Sequence, residues 1–252
     1  MTPFENIAIA GGDTATPISV KKRLALIRAH LPSKTAKVLD CGCGAGTYVH
    51  KLREEFSVDA VGIEYLPEKV SIAQNQPKLR KFIHQGDIQQ IQFDDSTFDA
   101  VLLNEVIEHV PDQELALQEI HRVLRPCGIL IIFCPNRLFP FETHGVYLKG
   151  TQQKLPPYIP LVPYIPLTLG KLFFDYWARN YWPWELRHLC EKNKFTVSAS
   201  YYLWQSFENI SGQQPWFIRV LLPLFRGMAG FMEKIPYLRQ FAASQVLILH
   251  KV

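Results

Sequence analysis

A chain of 252 residues, 48% hydrophobic and 20% charged, is long enough to bury one large α/β core with an insertion, and nothing in it demands two cores. The formal net charge of +4 is mild and unclustered, which argues against a nucleic-acid-binding surface and leaves anionic small substrates or an acidic membrane surface open. The five cysteines lack a C-x-x-C pair and lie mostly in apolar runs, so they read as buried reduced thiols. The start MTPFENIAIAGGDTATP has no secretion-signal pattern, and a cytoplasmic protein, free or peripheral at a membrane, is expected.

In chain order, Thr16 and Pro17 offer a cap and a first-turn proline to a helix carrying Val20, Leu24, Ile27 and Leu31 at helical spacing. Short β-rich runs then alternate with helical ones: AKVLDC, TYVHKLREEF, VDAVGIE, PEKVSIAQNQ, KFIHQGD, FDAVLLN, DQELALQEIHRVL and GILIIFC. Strands separated by helices imply right-handed crossovers, hence a doubly wound, mostly parallel sheet with helices on both faces. Residues 135–183, rich in proline and aromatics without a strand period, read as an inserted lid after the fifth strand. A helix WELRHLCEKN, a strand FTVSASYYLW, an apolar helical segment within 214–240 and a last strand SQVLILHKV follow. The expectation is a single domain, 1–252, around a seven-stranded sheet.

The strand KVLDC runs into GCGAG and at once into a helix, the turn at which such folds meet a nucleotide-like ligand. Gly42 allows positive φ, and Gly44 and Gly46 let a ligand approach the backbone. The preceding Asp40 makes the order D-x-G-x-G-x-G rather than the dinucleotide G-x-G-x-x-G, and no Lys-Ser/Thr follows to grip a triphosphate. A carboxylate there favours an ammonium or sulfonium over a phosphate. Glu64 at the tip of the second strand suits ribose hydroxyls, and Asp87 after the third suits an adenine amino group.

Over roughly residues 37–134 these features, together with FDDSTFDAVLLNEVIEHVPD and LRPCGILII, resemble the class I S-adenosylmethionine-dependent methyltransferases. The resemblance implies that fold and that cofactor. Asp40, Gly42, Cys43, Gly44 and Gly46 would line its methionine portion, Glu64 and Tyr65 its ribose, Asp87 and Ile88 its adenine, and Asn104 and His109 its amino-acid side. Cys127 stands where the family has a glycine in RPGG.

The acceptor side is read from the segment leaving the fifth strand, where open α/β sheets place substrates. His144 is the preferred base, with Glu142 or Tyr147 orienting it, and His109 is the other candidate base. Asn136, Arg137, His144 and Tyr147 are assigned to substrate, Arg137 for an anionic group. Glu105 and Glu108 read as helix-start carboxylates, and no two candidate ligands show a zinc spacing, so no metal is expected. The NR after the fifth strand is similar to ubiquinone-precursor O-methyltransferases. With the greasy lid and tail it suggests methyl transfer to oxygen, or to carbon, of a small lipid-like or aromatic substrate. The alternatives are a non-catalytic cofactor-binding subunit of a partner enzyme, or a protein or nucleic-acid methyltransferase.

Overall fold

The computed structural model describes residues 17–151, 153–155, 159–204 and 216–252, with the backbone alone for 216–222 and 225; Thr16 lies outside them. The first helix, α1 (Ile18–His30), has Pro17 at its N-cap rather than inside its first turn. Then come β1 (Lys37–Cys41), α2 (Thr47–Phe56), β2 (Asp59–Glu64), α3 (Pro67–Gln74), β3 (Ile83–Gln85), β4 (Phe98–Asn104), α4 (Gln113–Val123) and β5 (Leu124–Pro135). A single 3-10 turn, Ile107–His109, links β4 to α4.

After β5 the inserted segment, read above as a lid, carries a two-stranded sheet, β6 (Val146–Leu148) with β7 (Phe174–Tyr176), and between them a short helix, α5 (Leu167–Gly170). The chain returns through α6 (Pro183–Lys192), β8 (Phe195–Leu203), α7 (Trp216–Lys234), α8 (Pro236–Arg239) and β9 (Ser244–Lys251). The lid therefore holds a small hairpin-like ladder that its proline-rich sequence concealed.

The main sheet has the order β3-β2-β1-β4-β5-β9-β8, with β1 to β5 parallel and β9 antiparallel to both its neighbours. Strands in the middle read as unbroken apolar runs because both faces are covered: every residue of β5 from Gly128 to Pro135 is buried. Edge strand β8 alternates instead. One face is packed by Leu24 and Ile27 of α1, Val49 and Leu52 of α2, and Ala73 of α3. The other is packed by Leu117 and Ile120 of α4, and Leu186 and Cys190 of α6. Strand order reverses between β1 and β4, so a crevice opens above their carboxyl ends.

Four cysteines are buried as expected, but Cys127 is exposed and sits at φ 60°, the left-handed region where a Cβ is strained. That geometry explains why a glycine suits this turn. Replacing Cys127 with glycine should stabilise the protein by about 1 kcal/mol, seen as a melting temperature a few degrees higher in thermal denaturation.

Candidate functional site

The glycine loop closes onto β2: the N–H groups of Gly42 and Cys43 both donate to Ile63 O, at 2.8 and 3.0 Å. Gly42 has φ 72°, and a Cβ there would meet Val106 Cγ2 at 2.5 Å. Gly44 is different. At φ 57° a Cβ would meet nothing within 4 Å, so its bare face looks into open space. Gly46, at φ 81°, is the N-cap of α2.

Glu64 ends β2 and is buried; its Oε2 accepts the Gly44 N–H at 2.8 Å and its Oε1 the Leu66 N–H at 3.0 Å. Each oxygen keeps a second lone pair for a hydroxyl. Tyr65 beside it is exposed. Asp87 accepts the Gln89 N–H at 2.8 Å, and Ile88 is buried at the same turn. Asp40 is 1% exposed and its Oδ2 has no hydrogen-bond partner. Burial, and then the neighbouring Glu64, push its carboxyl up to about 8.

A residue that sequence reasoning missed enters from α1. Arg23 donates to Asn104 Oδ1 and, at 2.5 Å, to Glu105 Oε1, which also accepts the Ser244 hydroxyl at 2.6 Å. Burial alone would raise Glu105, but Arg23 holds it below the ordinary carboxylate range. The signal was only an arginine on the helix face that carries Leu24 and Ile27, and helical spacing does not distinguish a packed stem from a buried charge.

The acceptor side differs from expectation at Asn136, Arg137 and Glu142. Asn136 is buried and donates to Gln240 O and Ala242 O, while its Oδ1 accepts the Leu138 N–H. Arg137 is buried too, donating to Pro163 O at 2.5 Å and Ile165 O at 2.8 Å, with its guanidinium 5.0 Å from the Trp182 ring. These two tie the segment after β5 to its surroundings: both Asn136 amide hydrogens and two of the five Arg137 N–H donors go to backbone carbonyls, so Arg137 has a structural role in place of the expected anion site. Glu142 accepts the backbone N–H of His144 at 2.9 Å and the Asn180 amide at 2.7 Å, so it holds the loop and not the imidazole. Tyr147 belongs to β6, opposite Asp175 and bridged to Lys154.

His144 instead faces Glu108, with Nε2 3.8 Å from Oε1, and its ring lies 5.6 Å from that of His109. Burial lowers both imidazoles below their ordinary value. Glu108, read from sequence as a helix-start carboxylate, is buried and pushed well up, first by burial and then by Glu105. The motif E-x-x-E-H held the signal, but the partner comes from the lid.

A family model described as a methyltransferase domain matches residues 32–162. The chain belongs to the class I S-adenosylmethionine-dependent methyltransferases. It is 33% identical over 138 residues to norajmaline N-methyltransferase of Rauvolfia serpentina, covering 52% of this chain and 47% of that one. To the mitochondrial ubiquinone biosynthesis O-methyltransferase of Bos taurus it is 32% identical over 158 residues, covering 55% and 42%. The chain thus spans under half the length of these two relatives. A solved S-adenosylmethionine-dependent methyltransferase from Mesorhizobium loti superposes with a TM-score of 0.57 at 13% identity, over 90% of this chain and 96% of the other. The cyclase SpnF does so with 0.60 at 17% identity, over 96% and 85%. These two show the fold alone.

The methyltransferase's residues fit S-adenosylmethionine, its cofactor. Asp40 has an unpartnered buried oxygen for a cationic end, Gly44 an open face for close approach, and Glu64 spare lone pairs for a ribose. Gly44→Val puts a β-branched residue in the left-handed region, so it should lower the melting temperature by several degrees and, in the protein that remains folded, weaken cofactor binding at least tenfold by calorimetry. Because the folded pKa of Asp40 is raised, cofactor-free stability falls as pH climbs from about 4 toward 8. A bound cation favours the ionised carboxylate, so affinity should rise between about pH 6 and 7.5 with proton release, seen by calorimetry in buffers of different ionisation enthalpy. Asp40→Asn should abolish both effects.

Proposed function

We propose that this methyltransferase passes the sulfonium methyl of S-adenosylmethionine to an oxygen of a small lipid-like or aromatic acceptor. The observation that carries this reading is a polar cluster, Glu108, His109 and His144, set under an aromatic lid at the carboxyl end of β4. Bound cofactor supplies the electrophilic methyl group. The chain's own work is then to hold the acceptor in line with it and to exclude water, with proton removal needed only if the acceptor atom carries one.

The lid is built for an apolar guest. Arg137 fixes Trp182, on which Tyr164 and Trp184 stack at 6.0 and 5.0 Å, while Trp177 lies against His109. Of these aromatics Trp177 adjoins the polar cluster, and its indole suits a ring or a prenyl chain better than a sugar phosphate. The polar cluster supplies partners for the one polar end that such a molecule carries into the pocket. The O-methyltransferase relative named above supports oxygen as the acceptor atom, and carbon is the second choice.

The lid also leaves Leu161, Leu169, Leu172 and Phe173 exposed, and α7 leaves Leu224, Met228 and Phe231 exposed at a helical spacing. No helix among the described residues is long and apolar enough to cross a membrane. Peripheral contact is our reading of these faces, since basic residues accompany them. Incubation with methyl-labelled S-adenosylmethionine and fractionated cell extract should place label in the lipid or aromatic fraction. Label only in water-soluble metabolites, protein or nucleic acid would exclude this acceptor class, and no label at all, with a second chain co-purifying, would favour a cofactor-binding subunit.

A further inference from the structure

A cavity of about 200 Å³ lies between α6 and the last two strands of the sheet, and none of the residues assigned above to cofactor or acceptor lines it. The pairing of β8 with β9 sets its floor. Ser200 stands opposite Leu247 and Tyr202 opposite Gln245, and directly paired residues share a face of the sheet. Arg187 of α6 donates to the Ser200 hydroxyl at 3.3 Å, so this is the face that α6 covers. Trp184 and Arg187, three residues apart on that helix and therefore neighbours, make the wall.

Gln245 is the decisive member. It is 1% exposed, its Nε2 donates to Tyr181 O at 2.8 Å and to Pro135 O at 3.2 Å, and its Oε1 has no partner among the described residues. Carbonyls only accept, so the two bonds forbid a flip of the amide and fix Oε1 as the atom left over. Buried side-chain oxygens ordinarily have a hydrogen-bond partner, and this one marks a place for a donor.

The wall supplies two further contacts. Trp184 is 59% exposed, yet its indole is braced: it stacks on Trp182 at 5.0 Å and 8°, and Trp182 is backed by Tyr164 and by the Arg137 guanidinium. A large ring so held and so exposed is a stacking platform. Arg187 is exposed and makes no ion pair among the described residues, and its bond to Ser200 leaves a guanidinium fork for an anion.

We propose that this cavity binds a small planar heteroaromatic anion of indole size, its ring on Trp184, its ring N–H on Gln245 Oε1 and its carboxylate on Arg187. A cavity of about 150 Å³ takes a benzene ring, so the larger space here takes two fused rings. The site stands outside methyl transfer but is tied to the inserted segment. Pro135 O lies where that segment leaves β5 and Tyr181 O where it approaches α6, and Gln245 Nε2 clasps both. A ligand that immobilises Gln245 steadies both ends of the segment at once, and in this way it acts as an effector.

The test titrates the full chain, saturated with S-adenosylmethionine, with indole-3-acetate in a calorimeter. One molecule per chain is expected. Trp184→Ala and Arg187→Ala, both at exposed positions, should each weaken binding by about fivefold or more, as should replacing the probe by benzofuran-3-acetate, which has oxygen in place of the N–H. His144→Ala, which alters the acceptor cluster, should leave affinity within about twofold. Bound indole-3-acetate should also slow amide hydrogen exchange around 135–137 and 181–184. Absence of saturable 1:1 binding, or wild-type affinity in both α6 variants, overturns the proposal. Binding lost in His144→Ala overturns it too, because the ring then sits in the acceptor crevice. Binding as expected with exchange unchanged overturns the effector role.

Discussion

The reversal of strand order between β1 and β4 is the constraint from which the rest follows. Crossovers on opposite sides of that point carry the connecting helices to opposite faces, and nothing in the core fills the space above the two strand ends. The side chains that surround this space must tolerate burial without being able to pack as a core does. In this protein they are carboxylates. Asp40 ends on it from β1, Glu64 from β2, and Glu105 and Glu108 just past β4.

Concentrating acids in one dry crevice is unfavourable unless something answers the charge. The structure answers it unevenly. Glu105 has a guanidinium and a hydroxyl, and Glu64 has two backbone amides. Asp40 and Glu108 have unpartnered oxygens and are driven toward the neutral form. The two that are left over mark the two halves of the crevice, one beside the glycine loop and one under the lid. The same fold without its ligands therefore stores local polar frustration where ligands bind, which is where departures from polar satisfaction are expected.

Much of this was legible in the sequence. Helix α2 and strand β4 fall on the residues read for them, because unbroken apolar runs and helical spacing are local signals. The glycine loop, Glu64 and Asp87 were readable for a related reason: each sits at a strand end whose position is fixed by the same alternation. What escaped was anything decided by contacts distant in the chain. Arg137 looked like an anion binder because an exposed loop arginine usually is one, and only the folded lid shows it capped by carbonyls of Pro163 and Ile165. Glu108 looked like a helix-start acid until His144 arrived beside it. Arg23 drew no reading, because helical spacing does not mark a charge that will be buried.

The position of β9 gives the fold a timetable. This strand comes late in the chain, yet it lies inside the sheet between β5 and β8, and its first residue, Ser244, supplies the hydroxyl on Glu105. Just before it, Glu233 of α7 pairs with Lys22 of α1 at 2.5 Å, next to the arginine that reaches Asn104. During vectorial synthesis the five parallel strands can emerge and pair while β5 still has an open edge and Glu105 lacks one of its partners. The crevice is thus sealed by a late polypeptide segment, and a nascent chain stalled on the ribosome before β9 would present an adhesive strand edge and an unfinished pocket.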